Sequence, residues 1–295
     1  MNDVKTPFQG KSYTDVISTS YFDIRSMKSL FAILEALSKE AAELHIKTLV
    51  KQENQSRTDF NAMKEYGKGL LKLKVFITSD EGDVYSAYDQ SLFDDANIPS
   101  SLKSIVFDSS PDHLSALNKR PNNWLRLELN LSRSIILDLT ASPSEPTQNG
   151  SILMIEGADN NWTTTALTKI RKALSDYKTN RGLLHQRNVY DVYIFAFGLP
   201  IVFVILSRLN DALGNFLSSL NSIQQTFVFI YFFLLSLAVF RLFFNYARWV
   251  FPYIEFDMGK GKRKLHRTIW WFVFSTIVAG ITWQSTVFIW GKIFK

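Results

Sequence analysis

Two stretches in the first part of the chain repeat their apolar residues at the 3.6-residue period of an amphipathic helix. The stretch from Ser26 to Lys47 carries Met27, Leu30, Ile33, Leu34, Leu37, Ala41 and Leu44. The stretch from Asn160 to Lys178 carries Trp162, Ala166, Ile170, Ala173, Leu174 and Tyr177. We expect a helix over each stretch, with Ser26 as the N-cap of the first helix because serine oxygens accept from free backbone amides there.

Between these helices, apolar and polar residues alternate, a pattern typical of half-buried strands. Leu71 to Ile77 alternates in this way, and the turn at 79–83 leads to a second such run at Val84 to Tyr88, which predicts a hairpin. Further strands are predicted at 104–107, 124–131, 135–139 and 151–156. Strands grouped between helices favour an α+β domain with a mixed or antiparallel sheet and flanking helices, over residues 1–188.

The rest of the chain, residues 189–295, contains three long apolar runs. A helix needs about 20 mostly apolar residues to cross a bilayer. Residues 268–291 and 221–240 are uncharged throughout, and a shorter uncharged run at 192–207 contains Pro200. The pattern predicts an all-α membrane module of three transmembrane helices near 190–207, 221–240 and 268–291, with a kink near Pro200.

Charge strengthens the membrane interpretation and gives it a direction. The chain carries a formal net charge of +6, and all of this excess lies after residue 188, among the apolar runs. Lys and Arg concentrate before the first run and between the second and third runs, which predicts that these segments are cytoplasmic. We expect a multi-pass protein of the plasma (inner) membrane with a cytoplasmic N-terminal domain. A nucleic-acid partner is not expected. A protein that binds nucleic acid carries its excess basic residues on a soluble surface, whereas here the excess lies among the apolar runs.

The basic cluster between the second and third runs is a candidate membrane-surface site. It consists of Lys260, Lys262, Arg263, Lys264 and Arg267. Cations near an anionic leaflet gain about 1 kcal/mol each. We predict binding of this cluster to the lipid bilayer through anionic headgroups, with a pure topology signal as the alternative.

Polar residues inside or beside the apolar runs allow two interpretations. Arg241, Asn245 and Arg248 share one helix face, which either lines an ion path or places the arginines in the cytoplasmic headgroup layer. We favour the second interpretation, because the 20 uncharged residues before Arg241 already span a bilayer. Gln284 lies within the third run, where we expect it to face another helix, and small residues nearby allow a homo-oligomer through the spans.

The sequence offers few candidates for reaction chemistry. Glu156, Asp159 and Asn160 lie where a predicted strand meets a helix, a place that suits ligand binding, although capping of the helix by Asp159 explains the same residues. Asp108, Asp112 and His113 are candidates for an acid–base pair, although such residues in a loop rich in serine and proline are more often solvated surface. The chain has no cysteine and no recognised catalytic motif. We therefore predict no catalytic residues, no metal site, no cofactor and no enzymatic activity.

The leading hypothesis is an integral membrane sensor or effector whose cytoplasmic domain binds an unknown partner or small ligand and signals to a three-helix membrane module. Two alternatives stay open. One is an oligomerising membrane effector that perturbs or permeabilises the bilayer. The other is a membrane-tethered enzyme.

Overall fold

A computed structural model describes residues 10–94, 98–99, 101–137, 142–258, 265–272, 275–276 and 279–280. The chain divides into two compact units. The first, called the sheet unit, comprises Met1–Arg133, Pro146–Gln186 and Pro252–Gly259. The second, called the helical unit, comprises Ser134–Glu145, Arg187–Phe251 and Lys260–Lys295. The sheet unit therefore includes a segment from late in the chain, Pro252–Gly259, and the helical unit includes a segment from early in the chain, Ser134–Glu145.

The sheet unit has the predicted α+β architecture. Its strands are β1 (Lys11–Val16), β2 (Ser20–Asp23), β3 (Lys74–Ser79), β4 (Val84–Ala87), β5 (Leu102–Asp108), β6 (Asn123–Asn130), β7 (Ile152–Gly157) and β8 (Ile254–Asp257). Its helices are α1 (Ile24–Lys47), α2 (Arg57–Gly69), α3 (Pro111–Leu117) and α4 (Asn160–Ser175), with 3₁₀ turns at Gln90–Asp94 and Asn180–His185. Six strands form one sheet in the order β1-β7-β6-β5-β3-β4, and every neighbouring pair in it is antiparallel.

Helices α1 and α4 cover one face of this sheet. The strands bury alternate residues against them: Val75, Ile77, Ile105, Phe107, Leu125, Leu127, Leu129, Leu153 and Ile155. The helices contribute the apolar stripes that the sequence predicts, including Leu30, Leu34, Leu37, Ala166 and Ile170. The alternating apolar residues of the strands and the apolar stripes of the two helices are therefore buried in one core. Burial of these side chains on a single face favours strands where the period is 2 and helices where it is 3.6.

Strands β2 and β8 form a separate two-stranded parallel sheet. Ser20 is paired with Ile254, and Phe22 with Phe256. Phe22, Ile254 and Phe256 all belong to the main core of the sheet unit. The strand that follows the second apolar run is thus a structural part of the domain at the start of the chain.

The N-cap of helix α1 lies three residues before the predicted one. The prediction of Ser26 as N-cap is wrong, because Asp23 occupies that position and its Oδ1 accepts from the Ser26 amide at 2.7 Å. The Ser26 hydroxyl reciprocates by accepting from the Asp23 amide at 2.7 Å. These bonds complete a capping box, and the Ser26 amide is the main reason that the pKa of Asp23 is lowered.

Other predicted elements shift or disappear. The hairpin is confirmed as β3 and β4, but β3 starts at Lys74, because Leu71 lies in the turn after α2. Residues 135–137 form no strand, so that prediction is wrong there, and 138–139 lie outside the described residues. Helix α4 ends at Ser175 rather than at Lys178, because Lys178 forms a β-bridge with Ser20.

The helical unit contains two long apolar helices. The first run is helical from α5 (Val189–Tyr193) through a π-helical turn (Ile194–Gly198) to α6 (Leu199–Ala212). After the short α7 (Gly214–Ser218) comes the second helix, α8 (Ser222–Val250). Val189–Arg208 and Ser222–Val250 are each long and apolar enough to cross a membrane. The π-helical turn ends two residues before Pro200, whose missing N–H removes one bond of the regular helix ladder in this region.

The third predicted span is described only in part. Residues 265–272 are helical, as are residues 275–276 and 279–280. The remainder of 268–291, including Gln284, lies outside the described residues. Within the described ranges, two helices meet the length and hydropathy required for a span.

Candidate functional site

The segments that lead into and out of the two apolar helices meet on opposite edges of β2 in the sheet unit. On one edge, the amide of Tyr21 donates to the carbonyl of Tyr177 at 2.9 Å, and the amide of Thr179 donates to the carbonyl of Thr19 at 2.8 Å. On the other edge, β2 pairs with β8, and the amide of Ser20 donates to the carbonyl of Tyr253 at 3.2 Å. We call residues 19–23, 177–181 and 253–257 the junction.

A buried ion pair joins the two outer segments of the junction. Arg181 Nη1 lies 2.5 Å from Glu255 Oε2, and the Glu255 side chain is only 1% exposed. The Arg181 guanidinium also lies 5.8 Å from the centre of the Tyr21 ring. A carboxylate this deeply buried needs a cation or hydrogen-bond donors to remain charged. The pair therefore connects the segment before the first apolar helix to the segment after the second one.

Tyr21 adds a second polar link between β2 and β8. Its hydroxyl donates to Asp257 Oδ2 at 3.0 Å. Burial, with a further contribution from Asp257, raises the pKa of Tyr21 to about 12. The hydroxyl consequently stays protonated and able to donate throughout the physiological pH range.

His185 fixes the end of the 3₁₀ turn that precedes the first apolar helix. Its ring is buried, with Nδ1 2.8 Å from Thr147 Oγ1 and the ring centre 5.3 Å from that of Tyr253. The amide of Thr147 donates to the His185 carbonyl at 3.1 Å. Packing and hydrogen bonding thus hold residues 185 and 253, which lie just outside the two apolar helices in the sequence.

In the helical unit, a separate set of contacts holds the segment Ser134–Glu145. Asn245 Nδ2 donates to the Ile136 carbonyl at 3.2 Å, and Arg248 Nη2 donates to the Glu145 carbonyl at 3.2 Å. At the start of α5, the Ser144 hydroxyl donates to Asp191 Oδ1 at 2.6 Å, and the Asn188 amide donates to the Ser144 carbonyl at 2.8 Å. The segment is therefore fixed to the first turn of one apolar helix and the last turns of the other.

These contacts place the predicted polar face of α8. Asn245 and Arg248 are buried, and the Arg248 guanidinium lies 4.7 Å from the centre of the Phe244 ring. Arg241, one turn before Asn245, is half-buried. In the structure Asn245 and Arg248 bind backbone carbonyls of the 134–145 segment, a partner that sequence reasoning did not find. The only signal for it was the polar face itself.

The predicted membrane-surface cluster is described only at its last member. Arg267 lies 5.9 Å from the centre of the Phe251 ring. Lys260, Lys262, Arg263 and Lys264 lie outside the described residues. Binding of this cluster to anionic lipid stays a prediction.

The predicted ligand residues Glu156, Asp159 and Asn160 lie where the end of β7 leads into the start of α4. Asp159 is the N-cap of α4, and its Oδ1 accepts from the Trp162 amide at 2.8 Å. Glu156 lies in β7, paired with Ser12 and Trp124, and Asn160 is the first residue of α4. The turn has the geometry expected of a helix cap, and ligand binding there stays a prediction.

A cavity of about 400 Å³ lies beside α1, with walls from α2 and the residues just before β3. Its charged lining consists of Glu35, Lys39, Glu43, Glu65, Lys68 and Lys72. Lys68 lies 3.1 Å from Glu43 and 3.3 Å from Glu65. Pockets of 300–1,000 Å³ suit small ligands. Because α1 follows β2 directly, this cavity is connected to the junction by one continuous helix.

The acid–base pair suggested by the sequence is divided between two environments. Asp112 accepts from the Tyr88 hydroxyl at 2.7 Å, whereas His113 Nδ1 lies 2.6 Å from the Lys119 carbonyl. The His113 ring packs edge-on against His45 at 5.4 Å. Burial, with a smaller contribution from His113, lowers the pKa of His45. Within the described ranges, no three His, Cys, Asp or Glu side chains come together to hold a metal ion.

Comparison with known proteins found no matching family model, no matching curated protein and no matching solved structure.

Proposed function

We propose that this protein is an integral membrane protein whose sheet unit binds a partner or small ligand and transmits that binding to the helical unit through the junction. The observation that carries the proposal is the pairing of β2 with β8. This pairing joins a strand that precedes both apolar helices in the sequence to a strand that follows them.

Two apolar helices lie between β2 and β8 in the sequence, and this even number is compatible with both strands lying on the same side of a membrane. If Val189–Arg208 and Ser222–Val250 each cross the bilayer, the chain crosses twice and returns to its original side. β8 must return to that side, because it pairs with β2. One span or three spans between residues 186 and 252 would place the two strands on opposite sides.

The surface of the two helices also supports insertion into lipid. Phe195 is 74% exposed and Phe227 65% exposed, and Phe203, Tyr231 and Leu234 are exposed as well. Water-soluble monomers rarely leave apolar patches of this extent uncovered. Hydrocarbon is the environment in which such helices are stable, because their backbone hydrogen bonds are satisfied internally.

The contacts of the junction support coupling between the α1–α2 cavity and the apolar helices. A ligand in the α1–α2 cavity contacts α1, and the first residue of α1 follows β2 without an intervening loop. A shift of α1 therefore acts on β2, which is hydrogen bonded to the segments that enter and leave the apolar helices. The cavity lining includes both carboxylates and ammonium groups, so it suits a ligand or peptide that carries both charges.

The sidedness and the third span complete the proposal. In the sequence, Lys and Arg concentrate before the first apolar helix and after the second one, which supports a cytoplasmic sheet unit in a protein of the plasma (inner) membrane. The uncharged run 268–291 in the sequence supports a third span, and the basic cluster before it supports binding to anionic headgroups.

Cysteine labelling tests both membrane insertion and sidedness. The chain has no cysteine, so Ser86→Cys on β4 and Ser218→Cys on α7 each provide a single reactive thiol. In intact cells, a membrane-impermeant maleimide is expected to label position 218 and to label position 86 only after lysis. Extraction of the membranes with alkaline carbonate is expected to leave the protein in the pellet.

Two outcomes contradict the proposal in different ways. Release of the protein by carbonate would exclude an integral membrane protein. Labelling of position 86 in intact cells would instead place the sheet unit outside the cell and direct the search to extracellular ligands.

A further inference from the structure

The segment Ser134–Glu145 carries apolar side chains that its own surroundings leave uncovered. Ile135 is 68% exposed and Leu137 is 70% exposed. In the sequence this segment lies between β6 and β7, whereas in the structure it belongs to the helical unit. Ile135 and Leu137 are therefore not part of the buried core of the sheet unit, although their alternating pattern is typical of a strand in such a core.

The level of these side chains along α8 is fixed by one hydrogen bond. The Ile136 carbonyl accepts from Asn245 Nδ2 at 3.2 Å, so Ile135 and Leu137 flank the residue that is bound to α8. Asn245 lies after the 20 uncharged residues 221–240, which are long enough to fill the hydrocarbon core. The whole of α8 has 29 residues, or about 43 Å of helix, so its end extends past a core of about 30 Å.

Aromatic residues mark the same level as the membrane interface. Tyr246 and Trp249 stack at 5.9 Å on the last turns of α8, and the Tyr246 ring lies 6.0 Å from that of Trp270. Tyrosine and tryptophan concentrate where headgroups meet acyl chains. Asn245 adjoins Tyr246, so the carbonyl that it binds lies at that depth.

We propose that residues 134–137 form an interfacial anchor, in which Ile135 and Leu137 insert into the lipid bilayer at the depth of the headgroup–acyl boundary. This inference rests on the proposed membrane insertion of α8. The occupant of the exposed apolar surface is lipid, because the segment is hydrogen bonded to the last turns of α8, a helix of the same compact unit that itself exposes apolar side chains. The anchor gives Asn245 a role: it holds a lipid-facing loop at a defined height on the helix.

Depth-dependent quenching tests the anchor in the full-length protein in liposomes. Ile135→Cys and Leu137→Cys each receive an environment-sensitive nitrobenzoxadiazole label. Both labels are expected to emit at shorter wavelength than a label at Ser86→Cys. Both are expected to lose most of their emission to phosphatidylcholine that carries a spin label near the headgroup, and less of it when the spin label lies near the end of the acyl chain.

Two control positions separate failure of the anchor from failure of membrane insertion. A label at Phe227→Cys on α8 is expected to be quenched by lipid spin labels, and a label at Ser86→Cys is not. Quenching at 227 with none at 135 and 137 would overturn the anchor and leave the membrane protein intact. Absence of quenching at 227 would overturn the proposed function and the anchor with it.

A further variant connects the anchor to its hydrogen bond. Asn245→Ala removes the donor to the Ile136 carbonyl and leaves Ile135 and Leu137 unchanged. In this background, quenching of the label at position 135 is expected to decrease, whereas quenching at position 227 is retained. Unchanged quenching at 135 would show that Asn245 does not set the depth of the loop.

Discussion

Arg181 and Glu255 are 74 positions apart in the sequence, and the two apolar helices lie between them. The carboxylate of Glu255 is almost completely withdrawn from water, whereas Arg181 retains a partly exposed guanidinium. Desolvation of the carboxylate costs several kcal/mol, and the nearby cation offsets that cost. The strength of this contact therefore depends on burial, which the sequence around either residue does not reveal.

Replacing Arg181 with alanine is expected to destabilise the protein by about 3 kcal/mol, because Glu255 then loses the cation that compensates its burial. Arg171→Ala is the matched control, since Arg171 pairs with Asp15 at 2.7 Å with both side chains more than a third exposed. The control is expected to cost less than about 1 kcal/mol. Thermal midpoints of the detergent-solubilised proteins provide the measurement, and equal midpoints for both variants would contradict the burial argument.

At the scale of elements, β2 is a short strand with a large structural role. Four residues pair with β8, and the preceding Thr19 together with Tyr21 is hydrogen bonded to residues 177–179. The same strand ends at Asp23, the cap of α1. A single element thus adjoins the longest described helix of the sheet unit and both connections to the apolar helices, and for this reason the proposed coupling is assigned to it.

The parallel register of β2 and β8 is tested by a disulfide. Ser20→Cys with Ile254→Cys places the two thiols at directly paired positions, where strand geometry permits a bridge. Ser20→Cys with Asp257→Cys is the control, because a shift of three residues adds about 10 Å along the strand. Mild oxidation followed by peptide mass spectrometry is expected to find the bridge in the first pair alone. A bridge that formed equally well in the control would contradict the register.

At the scale of the whole molecule, the sheet unit depends on a strand encoded after both apolar helices. A fragment of residues 1–188 is expected to be less stable than the same fragment joined by a flexible linker to residues 252–259. The restored strand buries Ile254 and Phe256, and complete burial of each such side chain contributes about 1.5–3 kcal/mol.

Thermal unfolding of the two fragments measures this difference. A fusion that carries Phe256→Asp keeps the length of the linker and the strand, and it is expected to lose most of the gain. If the fragments with and without residues 252–259 unfolded at the same temperature, β8 would be an attachment to the sheet unit rather than part of it.

The local pattern of apolar residues was sufficient to predict two kinds of element. These are strands that pair with a neighbour close in the sequence and helices whose apolar pattern continues over many residues. The amphipathic period identified α1 and α4, alternation identified the β3–β4 hairpin, and uncharged length identified both apolar helices. The Ser26 prediction failed by three residues because Asp23 and Ser26 are both good capping residues. Sequence alone does not choose between them, since β2 fixes where the helix starts.

What the tertiary structure alone decided lies at the junction and at the 134–145 segment. Strand β8 has only four residues, and its partner lies more than 230 positions away, so no local period indicates it. Residues 135–137 alternate like a strand, but Asn245 binds the Ile136 carbonyl beside α8, and none of the described residues pairs with them in a sheet. Local sequence determines helices and hairpins through short-range periodicity, whereas long-range backbone pairing and burial determine the contacts proposed to connect the sheet unit to the apolar helices.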